Sequence, residues 1–192
     1  MRRGDRDDDT HRAKARGGVG LTLSVSGGGE RLAGRVRAVA EAVLAAEGLH
    51  RGHLDIAVVD GPTMRRLHAE FLDDDRVTDV LSFDLRETPR PGGVDGQIIV
   101  CGPVARQSAR ERGGRFTDEL LLYVIHGCLH LAGYDDRTAA EAAAMHARED
   151  ELLSLLGIGP VFHAVPGRTR VRPNRRTPSR SASRSKRSTK RS

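Results

Sequence analysis

Hydrophobic and polar positions along the chain predict four strands. Residues 21–25 alternate apolar and polar side chains, which is the pattern of a half-buried strand. The runs at 54–59, 80–85 and 98–101 are short and rich in apolar residues, and each indicates a further strand. The glycine pair at 92–93 precedes the last of these runs and predicts a loop.

Apolar residues that recur every three or four positions predict three helices among and after these strands. The first helix runs to about residue 47, where Gly48 suits its C-terminal cap. A shorter helix opens at Pro62 and places Met64 on its apolar face. The third covers residues 104–112, with polar residues outside and small ones inside.

Two further helices complete the pattern. Residues 117–131 are apolar nearly all round, which is typical of a buried central helix, and Gly133 ends this segment. Thr138 and Glu141 form a capping box at the start of a last helix, which runs to about residue 156. The sequence therefore predicts an α+β fold in which a small mixed four-stranded sheet packs with about five helices.

Charge divides the chain into parts. Residues 168–192 hold 11 Lys and Arg and no acidic residue, whereas residues 1–167 hold 21 basic and 26 acidic residues. A uniformly basic nucleic-acid-binding domain is therefore excluded. We expect a disordered segment at 1–18, a hydrolase domain at 19–157 and a basic, low-complexity, mostly disordered tail at 158–192.

Composition excludes several other classes of protein. No apolar stretch reaches the length of a membrane span, and the N-terminus lacks the apolar core of a secretory signal. Cys101 and Cys128 form no paired motif, so we expect reduced thiols and a cytoplasmic location, with no membrane partner. Aromatic residues make up only 3% of the chain, which argues against a base-stacking platform.

Two histidines on the predicted central helix point to a metal. His126 and His130 are four residues apart, so both imidazoles project from one helix face. Gly133 then lets the chain turn back sharply, and Asp136 follows three residues later on the same side. Two imidazoles and one carboxylate leave a coordination position open for water, which is typical of a catalytic zinc site at the end of this helix.

The spacing also matches the metzincin pattern H-E-x-x-H-x-x-G-x-x-H, with two changes. Gly127 stands where zinc peptidases carry their general-base glutamate, and Asp136 stands at the third ligand. Unpaired imidazoles are costly to bury, which favours a metal over two buried histidines without one. The remaining histidines show no such spacing and are interpreted as surface or local packing residues, with His146 the one exception considered.

Three segments resemble a known family. Residues 126–136, HGCLHLAGYDD, closely resemble the H-G-x-L-H-L-x-G-Y-D-H signature of the YbeY family of bacterial metal-dependent endoribonucleases. Residues 75–83, DRVTDVLSF, resemble its D-x-P-T-[DN]-V-L-S-F stretch, and residues 96–100, GQIIV, resemble its G-[DE]-I-x-I strand. The resemblance covers about residues 20–157 in the family's order and leaves the basic tail outside.

The resemblance implies an α+β fold with helices around a cleft and one metal per chain, usually Zn²⁺, held by His126, His130 and Asp136. It implies cleavage of ribosomal RNA at the 3′ end of the 16S molecule, a role in ribosome quality control, and the small ribosomal subunit as a partner. Thr78, Asp79 and Ser82 are cleft-lining residues by the same resemblance.

The chain departs from the family pattern at several positions. Asp136 replaces the usual third histidine, and an oxygen ligand allows divalent metals other than zinc. Leu72 occupies the position of the family's cleft arginine, and Arg76 is the nearby residue that could substitute for it. Val77 replaces the proline of the second stretch, and Gln97 replaces the acidic residue of the strand motif.

The leading hypothesis is a metal-dependent single-strand endoribonuclease that attacks a phosphodiester with activated water. Asp135 and Glu119 are the carboxylates that could assist proton transfer, and RNA contact is expected through residues 168–192. Two alternatives stay open: a zinc hydrolase or protease of metzincin-like spacing, and a non-catalytic ribosome-assembly factor whose metal is structural.

Overall fold

The computed structural model of the protein describes residues 20–88 and 90–159. The expected disordered segment at 1–18 and all but the first two residues of the expected tail at 158–192 lie outside the described residues. The described residues form four strands and five helices, as predicted. In chain order these are β1 (Leu21–Ser26), α1 (Glu30–Ala46), β2 (Arg51–Val59), α2 (Gly61–Leu72), β3 (Val80–Asp84), β4 (Gly93–Cys101), α3 (Gly102–Glu111), α4 (Phe116–Ala132) and α5 (Ala139–Leu155).

The four strands form one sheet in the order β1-β2-β4-β3. β1, β2 and β4 are parallel, and β3 lies antiparallel to β4 at the edge. The mixed sheet and the five helices confirm the predicted α+β class. None of the helices within the described ranges is long and apolar enough to cross a membrane.

One face of the sheet, here called the inner face, is covered by α1 and α4. Leu54, Ile56, Ile98 and Val100 on this face are almost completely buried. α4 lies at the centre of the fold, because the large hydrophobic cluster includes most of its residues. The prediction of a buried central helix is therefore confirmed.

Two glycines allow α4 to lie close to the sheet. A Cβ atom at Gly127 would lie 2.9 Å from Ile98 Cγ2 and 2.9 Å from Ser82 Oγ. On the sheet side, a Cβ atom at Gly96 would lie 2.9 Å from Leu131 Cδ1. The close contact fixes the rotation of α4 about its axis, and with it the direction in which its neighbouring histidines project.

The opposite, outer face is covered over only part of its area. There α2 packs Met64 against Leu81, Ile99 and Cys101 in a separate small cluster. Asp60 caps the N-terminus of α2, because its side chain accepts a hydrogen bond from the Thr63 backbone N–H at 2.9 Å. The other half of this face consists of polar side chains on β1, β2 and β4.

The predicted boundaries need correction at two strands. β4 begins at Gly93 rather than at residue 98, so the glycine pair is not wholly a loop. β2 likewise begins at Arg51 rather than at residue 54. Polar and glycine residues hid both strand starts, although Arg51 and Gly93 are register partners in the parallel ladder.

Candidate metal centre

The two histidines of α4 face one another across one helical turn. The distance between His126 Nε2 and His130 Nε2 is 3.0 Å. The ring planes meet at 85°, with their centroids 4.5 Å apart. Both side chains are half-buried, so they border solvent while resting on the apolar body of α4.

The turn after α4 brings a carboxylate to the same place. Gly133 ends the helix with φ of +101°, a left-handed conformation that glycine adopts without strain. Asp136 Oδ2 then lies 3.9 Å from His126 Nε2. One ligand atom from each of His126, His130 and Asp136 lies within 4.8 Å of the others. These three residues, here called the ligand group, therefore meet as predicted.

Nδ1 of His130, the ring nitrogen that faces away from His126, is hydrogen-bonded to the backbone. His130 Nδ1 lies 3.1 Å from the carbonyl oxygen of Tyr134, which follows the end of α4. A carbonyl only accepts hydrogen bonds, so the proton belongs to Nδ1. In the neutral ring Nε2 then presents its lone pair towards Asp136 and His126.

Nδ1 of His126 is hydrogen-bonded to a residue that the sequence analysis did not identify. His126 Nδ1 lies 2.7 Å from Oε1 of Glu149, which lies on α5 and is completely buried. A signal was present in the sequence, because Met145, Glu149 and Leu153 share one apolar stripe of α5. A carboxylate on such a stripe needs a partner, and His126 is that partner.

Electrostatics at His126 reflect this contact. Burial alone would lower the pKa of His126, but the hydrogen bond to Glu149 and the negative charge of Glu149 outweigh it. The charges of Asp136 and Asp79 act in the same direction, so the pKa of His126 is raised overall. The site thus attracts positive charge, whether a proton or a metal ion.

The donor set fits a divalent metal ion. Two ligand atoms on a tetrahedral zinc ion with bonds of about 2.0–2.1 Å would lie about 3.3 Å apart. This value falls between the 3.0 Å that separates the two Nε2 atoms and the 3.9 Å from His126 Nε2 to Asp136 Oδ2. Two imidazole nitrogens and one carboxylate oxygen suit zinc and other transition metals. The group could therefore hold one metal ion, and the geometry does not fix its identity.

Three residues expected to assist catalysis lie in different surroundings. Glu119 lies seven residues before His126 on α4 and is buried in an ion pair with Arg112. Arg76 pairs with Asp74 at 2.5 Å on an exposed loop. Neither belongs to the ligand group.

Asp135, the third of these residues, is next to a ligand in sequence. Its Oδ1 accepts the backbone N–H of Asp136 at 2.9 Å, and its Oδ2 lies 3.0 Å from Arg137 Nε. These contacts hold the loop that carries Asp136. The assisting roles of all three residues stay predictions.

Residues named as cleft-lining lie along the start of β3. Thr78 Oγ1 donates to Asp79 Oδ1 at 3.0 Å, and the charge of Asp79 acts on His126. Ser82 faces α4 at Gly127, and its buried Oγ has no hydrogen-bond partner among the described residues. Leu72, at the position of the family's arginine, ends α2 with a largely exposed side chain.

The other described histidines do not join the ligand group. His53 Nε2 pairs with Asp55 at 3.0 Å, and His68 Nδ1 lies 2.8 Å from the Arg76 carbonyl oxygen. His146 lies on α5, three residues before Glu149. Of the histidines beyond these, His11 and His163 fall outside the described residues.

Gly127 excludes the arrangement of residues that a zinc peptidase uses at this position. A metzincin-type glutamate at this position would have to fit where even a Cβ atom lies 2.9 Å from Ile98 and Ser82. The position points at the sheet rather than at the ligand group. The general base of a zinc peptidase therefore has no place here.

Comparisons with known proteins agree on one family. The sequence model of the family "Endoribonuclease YbeY" matches residues 27–157. A protein of this name from Salinibacter ruber is 41% identical over 128 residues, which cover 64% of this chain and 82% of that protein. Another, from Moorella thermoacetica, is 37% identical over 140 residues, covering 68% and 90%.

A solved structure agrees with the fold. The solution structure of TM1509 from Thermotoga maritima is 28% identical in sequence, with a TM-score of 0.51. The match covers 78% of this chain and 99% of that protein. The family match spans more than half of the chain, including the ligand group and the whole sheet from β2 onward. The chain therefore belongs to the YbeY endoribonuclease family.

Proposed function

We propose that the protein is a metal-dependent, single-strand endoribonuclease of ribosomal RNA maturation and ribosome quality control, acting at the 3′ end of 16S rRNA. The observation that carries the proposal is the convergence of His126, His130 and Asp136 at the end of α4 in a chain of this family. We propose Zn²⁺ as the metal, one per chain, in the cytoplasm.

The residues of the site have three separate proposed roles: metal binding, orientation of the histidines and proton transfer. His126, His130 and Asp136 would hold a divalent metal, which when bound would supply Lewis acidity towards a phosphoryl oxygen and a water of lowered pKa. His126 and His130 keep Nε2 towards the ligand group because Nδ1 is held by Glu149 and by the Tyr134 carbonyl. Asp135, beside the ligand Asp136, is the proposed proton-transfer group, since Glu119 is buried two turns away from His126 on α4 and paired with Arg112.

The net negative charge of the described residues opposes the binding of RNA. Residues 20–159 carry 15 basic and 22 acidic residues, so the described body repels a polyanion. Residues 168–192 carry 11 basic residues and no acidic one. We propose that this segment draws in ribosomal RNA through its phosphates, without sequence preference.

Metal analysis and cleavage assays test the proposal together. Purified protein should contain about one equivalent of transition metal and cleave single-stranded 16S precursor RNA when that metal is supplied. Asp136→Ala should lose both properties, whereas His53→Ala on the outer face should keep both. A protein that binds metal but cleaves no RNA with any divalent ion, on or off the small subunit, would contradict the nuclease proposal.

The tail has its own test. Deletion of residues 168–192 should weaken RNA affinity and flatten the dependence of the binding constant on salt concentration, because fewer counterions are released. The measurement is a binding titration at several salt concentrations. An unchanged slope would show that these residues do not contact the phosphates.

One observation favours a second candidate function. Leu72, which is 58% exposed, stands where the resemblance places the family's cleft arginine, and its apolar side chain cannot bind a phosphate. A ribosome-assembly factor with a structural metal would tolerate this change. Tight binding to small ribosomal subunits without RNA cleavage would support it.

A further inference from the structure

We infer that Glu149 is a positioning residue of the metal centre and supplies its second negative charge. Through a hydrogen bond, its carboxylate turns Nε2 of His126 towards the other two ligands. Nothing in the sequence motifs of the site includes Glu149, which lies 23 residues after His126. The inference rests on the proposed metal centre and names a further residue on which that centre depends.

Packing fixes where the carboxylate sits. α5 begins at a capping box, in which Thr138 Oγ1 accepts the Glu141 N–H at 3.2 Å and Glu141 Oε2 accepts the Thr138 N–H at 2.9 Å. One turn on either side of Glu149, Met145 and Leu153 are completely buried in the main core. The carboxylate is therefore held at its place by the docking of α5 and not by flexible surface contacts.

The hydrogen bond decides which nitrogen of His126 faces the ligand group. An ionised carboxylate only accepts, so the proton lies on Nδ1, 2.7 Å from Glu149 Oε1. The Nε2 lone pair is then directed at His130 and Asp136. His130 obtains the same orientation from the Tyr134 carbonyl, a backbone group, so only His126 depends on a side chain. Outer partners of this kind set the orientation of metal-binding histidines and their strength as ligands.

The charges are balanced by a divalent ion. Glu149 is completely buried, and its Oε2 has no hydrogen-bond partner among the described residues. Its one ion pair within the part of the chain that the structure describes is with His126. A buried carboxylate without a full positive charge nearby is strongly unfavourable. Asp136 and Glu149 carry two negative charges, which equal the charge of one divalent ion between two neutral imidazoles.

The first measurement is metal affinity in the full-length protein. Zn²⁺ would be titrated into Glu149→Gln, Glu149→Met and wild-type protein in competition with a chromogenic chelator. We expect affinity to fall by about 10- to 100-fold in Glu149→Met, which loses both acceptor and charge. Glu149→Gln keeps an acceptor of the same shape and loses only the charge, so its loss should be smaller. Glu151→Gln on the same helix, which is largely exposed and paired with Arg148, should bind Zn²⁺ as the wild type does.

A second measurement separates positioning from a merely structural role. Without metal, Glu149→Gln should still melt in one cooperative transition, because the amide keeps the shape of the carboxylate and an acceptor for the proton on His126 Nδ1. The rise in melting temperature on adding Zn²⁺ should be smaller in this variant than in the wild type. In ¹⁵N-edited spectra of the metal-free protein, Glu149→Met should shift His126 from the Nδ1–H form towards the Nε2–H form.

The outcomes separate this inference from the proposed function. If both variants bind Zn²⁺ as tightly as the wild type, or if they lose only metal-free stability, Glu149 is structural and the inference is wrong. If they lose metal affinity while wild-type protein binds zinc but cleaves no RNA, the inference stands and the nuclease proposal fails. A wild type that takes up no divalent metal overturns both.

Discussion

The two faces of the sheet differ in composition and in how completely they are covered. On the inner face most side chains of β2 and β4 are apolar and buried under α1 and α4, among them Leu54, Ile56 and Ile98. On the outer face α2 covers only the half near Leu81 and Ile99. The other half carries polar side chains that reach solvent, among them Thr22, Ser24 and Asp95.

The difference explains why the candidate metal centre lies on the inner side. Its histidines lie on the helix that the inner face buries, and Glu149 arrives from a second helix packed there. Rigid apolar surroundings hold ligand side chains in one geometry and lower the local polarity, which strengthens their interactions with a metal. The outer face also carries a histidine and a carboxylate, His53 and Asp55, but both side chains are nearly half exposed to solvent.

The largest expected effect comes from changing the contact between α4 and the inner face. Gly127→Glu would place a carboxylate against Ile98 and Ser82, where even a Cβ atom is too close. We expect destabilisation by more than about 4 kcal/mol, measured by urea denaturation, because overpacking and an unpaired buried charge combine.

A matched control for this change lies on α1. Gly34 is an exposed interior helix residue with open space around the position of a Cβ atom. Gly34→Glu should therefore be neutral or stabilising by up to about 1 kcal/mol, through helix propensity. A Gly127→Glu protein as stable as the wild type would show that α4 does not lie tightly on the sheet.

The two hydrophobic clusters should differ by a smaller amount. Leu129 in the main cluster and Met64 in the outer cluster are both completely buried. Leu129→Ala should lose stability near the upper end of the range of about 2–5 kcal/mol, because its surroundings are too rigid to close a cavity. Met64→Ala should lie near the lower end, since α2 can shift on the edge of the sheet.

Equal losses of unfolding free energy in Leu129→Ala and Met64→Ala, measured by urea denaturation, would contradict the distinction between the two clusters. A larger loss at Met64 would reverse it and make the outer cluster the main support of the fold. The metal affinity of Met64→Ala should remain that of the wild type, whereas Leu129→Ala lies beside His130 and should weaken binding.

The inner and outer sides of the sheet also differ in how well the sequence predicts their elements. Apolar runs on the inner side, such as residues 117–131, specify both the element and its burial, so α4 and the ligand spacing were predictable. The starts of β2 and β4 were not predictable, because Arg51 and Gly93 are not part of any apolar repeat in the sequence. Their pairing is a tertiary property of the parallel ladder.

The candidate site shows the same limit. His126, His130 and Asp136 lie within eleven residues, where helix geometry and one glycine turn determine their proximity. Glu149 reaches His126 only through the docking of α5 on α4, which no local pattern specifies. Its position on an apolar stripe indicates that it needs a partner, but not which one.

A smaller effect should appear at low pH. Arg86 binds Asp84 through both carboxylate oxygens and also donates to the Gly93 and Leu131 carbonyls, which ties the start of β4 to the end of α4. Its hydrogen bonds hold the pKa of Asp84 below its ordinary value, against the opposing effect of burial. The resulting stabilisation is present above about pH 3.9 and is lost as the pH falls below it.

The measurement is the free energy of unfolding between about pH 2 and 6 for wild type and Asp84→Asn. Asp84 is nearly half exposed, so the difference at neutral pH should stay below about 1 kcal/mol. The two curves should converge in acid. Asp95→Asn, on the exposed half of the outer face, provides the control. Parallel curves for Asp84→Asn and wild type would show that the Arg86 contact does not depend on this charge.

The smallest effect is expected on the exposed half of the outer face. Asp55 accepts a hydrogen bond from Ser24 and pairs with His53 at 3.0 Å, and its side chain is 48% exposed. These contacts hold the pKa of Asp55 below its ordinary value, but water competes with them at such exposure. Asp55→Asn should therefore change the free energy of unfolding by less than about 0.5 kcal/mol and leave Zn²⁺ affinity unaltered. A change in Zn²⁺ affinity would mean that the two faces are coupled through β2, and the inner side would then not be sufficient to define the metal centre.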